Sequence, residues 1–129
     1  MIIFGMGYSV ESLAQVPWLY DKEIYYWGDI DRHGFAILSR LRSYIAHVKS
    51  FLMDEDTLLQ HKLSWTVDAS AKSEVILESS LTEHERALYI KLCGDELGHS
   101  VRLEQEKISY SYVSSLLARL SYTNALLSV

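Results

Sequence analysis

A single cysteine, Cys93, and a single proline, Pro17, are all that 129 residues contain of either. One cysteine excludes an internal disulfide and with it the stapled scaffolds of small secreted domains, so a reducing, cytoplasmic setting is the natural one. Cys93 falls among Tyr89, Leu92 and Leu97, a neighbourhood that predicts a buried structural thiol and not a nucleophile. Long apolar runs are also missing. Met1-Ile2-Ile3-Phe4 is interrupted at once by Gly5 and Gly7 with no basic leader, which argues against a signal peptide and against a membrane span. Nor is there an excess of positive charge: 12 Lys and Arg against 17 Asp and Glu give a net charge of −5. That excludes a chain that coats nucleic acid through a uniformly basic surface, while leaving room for a local basic patch. No Pro-rich linker, repeat or low-complexity tract divides the chain, so one domain over residues 1–129 is expected, helical in its part from residue 82 onward.

What is present is enough apolar content for a core, 49% of the residues, and one chemically loaded stretch. Ile24-Tyr25-Tyr26-Trp27 is β-branched and aromatic and predicts a buried strand; Gly28 and Asp29 end it, and an amphipathic helix starts a few residues later. A strand thereby delivers Asp29 and Asp31 to a strand-to-helix turn. The carboxyl ends of strands are where ligands collect in open α/β sheets. Two carboxylates one residue apart are hard oxygen donors that suit Mg²⁺ or Mn²⁺ held with waters and substrate phosphates, which points to phosphoryl chemistry. The plainer alternative is that Asp31 caps the next helix, Asp29 closes a turn and Gly34 relaxes packing.

Along the chain, Ile2–Phe4 reads as a short buried strand and Gly5-Met6-Gly7 as a flexible turn that lacks the spacing of a dinucleotide fingerprint or a P-loop. Ser9 is placed to cap a short helix through Gln15, after which Pro17 and Trp18 turn the chain. From His33 to Ala46 the residues Ile37, Leu38, Leu41 and Ile45 fall on one helical face. Val48 to Met53 predicts a second strand, ending in Asp54-Glu55-Asp56-Thr57. If the two strands are parallel neighbours, both acidic clusters share one sheet edge; Asp54 is then an auxiliary acid or, alternatively, a helix cap. Residues 64–80 lack a period and read as a connection. Thr82-Glu83-His84-Glu85 is a capping box that predicts a helix from Glu83 to about Asp95, with His84 a solvated residue. Val101 to Glu106 alternates and predicts a short extended segment, with Arg102, Glu104 and Glu106 as a mixed-charge row on one side. Its bland form is a salt-bridged strand; its functional form sends a glutamate to the Asp29/Asp31 turn, or Arg102 to a phosphate. Ser109 or Ser111 caps a last helix through Leu120.

Taken together, Trp27-Gly28-Asp29-Ile30-Asp31-Arg32-His33-Gly34-Phe35, Leu52-Met53-Asp54 with Thr57-Leu58, Leu81-Thr82, and Arg102-Leu103-Glu104-Gln105-Glu106 resemble the C-terminal Toprim-type domain of the JetD family. That is the nuclease subunit of the bacterial Wadjet plasmid-defence system, itself similar to the A subunit of topoisomerase VI. The likeness runs from about Phe4 to Leu120. It implies an α/β Toprim fold, a small parallel sheet with helices on both faces. It also implies a Mg²⁺ or Mn²⁺ site for cleaving DNA phosphodiesters, with Asp29 and Asp31 matching the family's acidic pair and Gly34 its glycine. Arg32 and His33 are phosphate contacts by position at the helix start. DNA and the other subunits of the defence complex are the implied partners. Toprim sites also use a glutamate on an earlier strand, and neither Glu11 nor Glu23 matches it, so the resemblance implies an N-terminally truncated domain, incomplete alone. Glu104 is a conceivable substitute. An apolar sheet edge left open in that way predicts self-association. Two other functions stay open: a non-catalytic docking or regulatory remnant, and a phosphohydrolase with Asp29 as nucleophile, for which the expected Thr or Gly pattern after Asp31 is missing.

Overall fold

Aromatic and β-branched residues favour extended backbone, and the chain uses them to build a small parallel sheet at its centre. In the computed structural model, which describes residues 2–4, 21–68 and 78–121, β1 (Ile2–Phe4), β2 (Tyr25–Trp27) and β3 (Lys49–Ser50) lie side by side in that order. All are parallel, with Tyr25 opposite Ile2 on one side and Lys49 on the other, so β2 is central. Parallel neighbours need a crossover, and α1 (Arg32–Tyr44) supplies the one from β2 to β3. The helix buries the stripe expected of it, Phe35, Ile37, Leu38 and Leu41, with Ile45 buried just past its end, where the backbone turns extended.

After β3 the chain forms α2 (Glu55–Gln60), a 3-10 turn at Lys62–Ser64, and β4 (Thr66–Val67). A second 3-10 turn at Glu78–Ser80 precedes α3 (Glu83–Cys93). Then come β5 (Val101–Arg102), a 3-10 turn at Gln105–Lys107, and α4 (Tyr110–Ser121). β4 and β5 pair antiparallel as a separate ribbon, Thr66 opposite Arg102. One core joins these pieces: Tyr26 and Ile30 around β2, Phe35 and Leu38 from α1, Leu58 from α2 and Leu88 from α3 are all fully enclosed. Each such side chain contributes about 1.5–3 kcal/mol of burial. Among the described residues no helix is long and apolar enough to cross a membrane.

Several expectations need correction. The strand foreseen over Val48–Met53 is only two residues long, because Leu52 takes left-handed backbone, φ 57°, and ends the ladder. Phe51, Leu52 and Met53 are buried all the same, as an apolar plug and not as strand. The extended segment foreseen through Glu106 stops at Arg102; Gln105–Lys107 wind into the 3-10 turn, so Arg102, Glu104 and Glu106 do not form one row. α3 ends at Cys93 with Gly94 as its cap, before Asp95. Cys93 is exposed, not buried, since Leu92 and Tyr89 take the inward positions of that last turn. The 64–80 connection holds β4 and the turn at Glu78–Ser80, while residues 69–77, the helix foreseen from Ser9 to Gln15, and Gly5, Gly7, Glu11, Pro17 and Trp18 lie outside the described residues.

α1, β3 and α3 are tied together by one buried ion pair. Arg42 and Glu85 have side chains only 9% and 7% exposed. Arg42 Nη1 and Nη2 donate to Glu85 Oε1 and Oε2 at 2.5 and 3.0 Å, while Nε donates to the Val48 carbonyl and Nη1 to that of Ser80, both at 2.9 Å. Ser50 Oγ and the Thr82 amide complete the carboxylate's shell at 2.6 and 2.8 Å, the latter as half of the capping box. Burial by itself pushes the Glu85 carboxyl up, but the hydrogen bonds from Arg42, Ser50 and Thr82 outweigh it and hold the group below the ordinary 4.5. A carboxyl lowered on folding adds stability above its unfolded value, and that stability is lost as pH falls through the folded value. The difference in urea midpoint between wild type and Glu85→Gln is therefore expected to be largest near neutral pH and to shrink once pH drops below about 4.5. A difference that did not change with pH would contradict the ionised, fully bonded state of Glu85.

Candidate metal and phosphate site

β2 ends at Trp27, and Gly28, Asp29 and Ile30 carry the chain across the sheet end to Asp31, the N-cap of α1. The turn is tight because two side chains are missing from it. A Cβ at Gly28 would run into the Tyr26 phenol, and one at Gly34 would overlap the carbonyl oxygen of Asp29. With Gly34 in place, its amide donates to Asp31 Oδ1 at 2.6 Å, and the Asp31 amide donates to the Asp29 carbonyl at 3.1 Å. Asp31 thus caps the helix, and the plainer sequence alternative describes one of its two oxygens. The other oxygen faces a cation.

That cation arrives from a distant part of the chain. Ile30 and Leu103 form an isolated antiparallel bridge, amide to carbonyl at 2.9 and 3.1 Å in the two directions, which lays the segment after β5 across the turn. Arg102 Nη2 donates to Asp29 Oδ2 at 3.0 Å, and Arg102 Nε stands 3.2 Å from Asp31 Oδ2 without the alignment of a hydrogen bond. The Gln105 amide donates to Asp29 Oδ1 at 2.8 Å. Every oxygen of the two carboxylates therefore faces a protein donor. Arg102 meets the acidic pair, where the sequence had left open a salt-bridged strand or a phosphate.

The site is electrostatically loaded. Burial pushes the Asp31 carboxyl above its ordinary range; the Gly34 amide opposes the rise, Asp29 adds to it, Arg102 opposes it, and the buried Asp68 adds again. Burial likewise pushes the Tyr26 phenol well up, helped by the charges of Asp29 and Asp31. Its hydroxyl is enclosed and has no hydrogen-bond partner among the described residues. Tyr26, Asp68 and Gln105 were not foreseen. Tyr26 shares a strand face with Gly28, a signal readable from period-2 alternation, but the amide of Gln105 and the field of Asp68 leave no mark in the sequence.

The remaining candidates are dispersed. Arg32 and His33 occupy the first turn of α1, half-buried and exposed, and Arg32 contributes to holding Asp95 low, behind the Ser100 amide and His99. Asp54 is a cap: its Oδ1 accepts from the Thr57 amide at 2.7 Å. With Ser50, Glu55, Asp56, His84 and Glu85 it also lines a cavity of about 320 Å³ whose walls include neither Asp29 nor Asp31. Glu104 is half-buried and adds to the field that favours charged Arg102, whereas Glu106 is exposed on the 3-10 turn. Among the described residues no group of three or more His, Cys, Asp and Glu could hold a metal ion.

The donor set nonetheless fits a hard divalent cation. Mg²⁺ is commonly held by one or two carboxylates together with waters and substrate phosphates, and each carboxylate oxygen has a second lone pair beyond the donor it already faces. Asp29 is 28% exposed at its side chain and Asp31 5%, so the pair is reachable from the Asp29 side and enclosed at Asp31.

No curated protein sequence matches the chain. The family model described as Wadjet protein JetD, C-terminal, matches residues 1–117, covering the turn, the capping box and the Arg102–Gln105 segment, and the chain belongs to this JetD C-terminal family.

Proposed function

We propose that the chain is a Toprim-like, divalent-metal-dependent DNA-cleaving module of a Wadjet defence system. The observation that carries this reading is the acidic pair at the end of the central strand, with Asp31 fixed by the Gly34 amide, Asp29 fixed by the Gln105 amide, and a cation already seated across both. Asp29 and Asp31 are the residues that would hold Mg²⁺ or Mn²⁺, which when bound would polarise a phosphoryl oxygen and stabilise the departing one. Arg32 and His33 stand where the helix dipole favours anions, a poor place for bases on stability grounds and a good one for phosphate recognition. Glu104, whose charge acts on Arg102, is the auxiliary acid closest to this reading, whereas Asp54 and Glu106 would serve only if a bound substrate reached them. DNA is the proposed substrate, the other subunits of the defence complex are the proposed partners, and the cytoplasm is the proposed setting. Self-association through an open sheet edge belongs to the same proposal.

A second reading, a non-catalytic docking or regulatory piece, is favoured by the fact that, among the described residues, no third acid stands where it could share a metal ion with the pair. Plasmid nicking with Mn²⁺ or Mg²⁺ separates the two. Nicking by wild type that falls to background in the Asp29→Ala/Asp31→Ala double variant is the outcome that supports the nuclease reading, with the domain incomplete alone as the resemblance implies. Nicking that survives in the double variant would remove Asp29 and Asp31 from the chemistry, and wild type that nicks no faster than buffer would favour the docking reading.

A further inference from the structure

Resting on the metal-site reading above, we infer that Arg102 is the resident cation of the Asp29/Asp31 pair, and that a divalent metal gains the pair only by displacing it. Arg102 already supplies the positive charge that faces Asp29 and Asp31, and a divalent ion added beside it would bring two mutually repelling cations to contact distance of the same oxygens. Geometry makes the same point. Asp29 Oδ2 and Asp31 Oδ2, the two oxygens not taken by the Gln105 and Gly34 amides, are the ones Arg102 covers.

The grip is firm in position and weak in bonding. The backbone of Arg102 is held in register by its pairing with Thr66 and by the Ile30–Leu103 bridge next door, which keeps the guanidinium within reach of the pair. Yet it does not form the two-pronged fork that makes Arg–carboxylate pairs strong. It donates one aligned hydrogen bond, to Asp29, and only approaches Asp31. Its side chain is 33% exposed, leaving a path outward. The chain is self-inhibited toward metal by its own arginine.

Mn²⁺ titration of the whole chain, followed by the electron paramagnetic resonance signal of free Mn²⁺, tests this without any cleavage. Arg102→Gln is expected to bind Mn²⁺ at least about tenfold more tightly than wild type, because the competing charge is gone. Arg102→Lys, which keeps the charge but not the planar guanidinium, is expected to lie between them and serves as the test if thermal melting shows Arg102→Gln unfolded. Adding Asp31→Asn to either variant is expected to erase the gain. Equal binding by wild type and both Arg102 variants, still lost with Asp31→Asn, would overturn the competition while leaving the metal site standing. Absence of Mn²⁺ binding in every folded variant would overturn the metal-site reading itself, and the competition with it.

Discussion

Glu85→Ala is expected to destabilise the protein by about 3–5 kcal/mol, a large share of the 5–15 kcal/mol that holds a typical domain folded. The reason is what the truncation leaves behind. Arg42 would stay almost fully buried with its guanidinium facing no carboxylate, and although its bonds to the Val48 and Ser80 carbonyls survive, they do not neutralise a charge. Ser50 Oγ would lose its acceptor and the Thr82 amide its half of the capping box, which adds about 1 kcal/mol at the start of α3. Removing both charges is a different matter. Arg42→Met/Glu85→Leu replaces the pair with apolar volume and is expected to cost less than Glu85→Ala alone, since no orphan charge remains. Urea unfolding of the three chains measures the effect. A cost below about 1 kcal/mol for Glu85→Ala would mean that water reaches Arg42, against its near-complete burial.

That network also shows what was legible in the sequence and what was not. The capping box Thr82–Glu85 is local, four residues with a fixed chemical role, and it was readable. The same glutamate's second role, neutralising Arg42 on another helix, depends on how α1 and α3 pack and has no local signature. α1 was legible for the same reason as the box: its stripe repeats at the helical period and Asp31 stands at its start. β3 was half legible. Phe51-Leu52-Met53 has the composition of a buried strand, but a buried apolar run has no period to say whether it stays extended, and Leu52 leaves the strand region. Cys93 was misplaced because apolar neighbours in sequence do not fix which way a helix turns its last residue.

The acidic pair divides along the same line. The delivery of Asp29 and Asp31 to a strand-to-helix turn was readable from strand composition, spacing and the glycine that follows. The partner that defines their electrostatics, Arg102, could be named only as one charged residue among several, because its destination is set by the Ile30–Leu103 bridge across more than 70 positions. Long-range pairing of that kind is a property of the folded chain and not of any segment in it. Its functional consequence follows directly: a turn that looks like an open metal site in sequence is, once folded, already carrying a cation.

Gly34→Ala inverts a general rule. In the body of a helix, alanine is favoured over glycine by up to about 1 kcal/mol, so on propensity alone the substitution in α1 would stabilise. Here it is expected to cost about 3 kcal/mol, at the upper end of what overpacking does, because the new methyl meets the carbonyl oxygen of Asp29, a backbone atom that cannot rotate away. Relief requires α1 to lift from the turn, which stretches the 2.6 Å bond between the Gly34 amide and Asp31 and moves Asp29 relative to Arg102 and the Gln105 amide. Stability and site geometry are then lost together. Gly94→Ala makes the matched control: its Cβ would sit 3.4 Å from the Ile90 carbonyl oxygen, close to ordinary contact, at a φ of −88° that alanine adopts freely, so a change within about 0.5 kcal/mol is expected. Urea unfolding and Mn²⁺ titration of the two variants, side by side, check both halves of the claim. If Gly34→Ala proved as mild as Gly94→Ala, the turn would have to be mobile enough to absorb a methyl group. Asp29 and Asp31 would then not be held in advance of any ligand, and the pre-positioning on which their proposed role depends would fail.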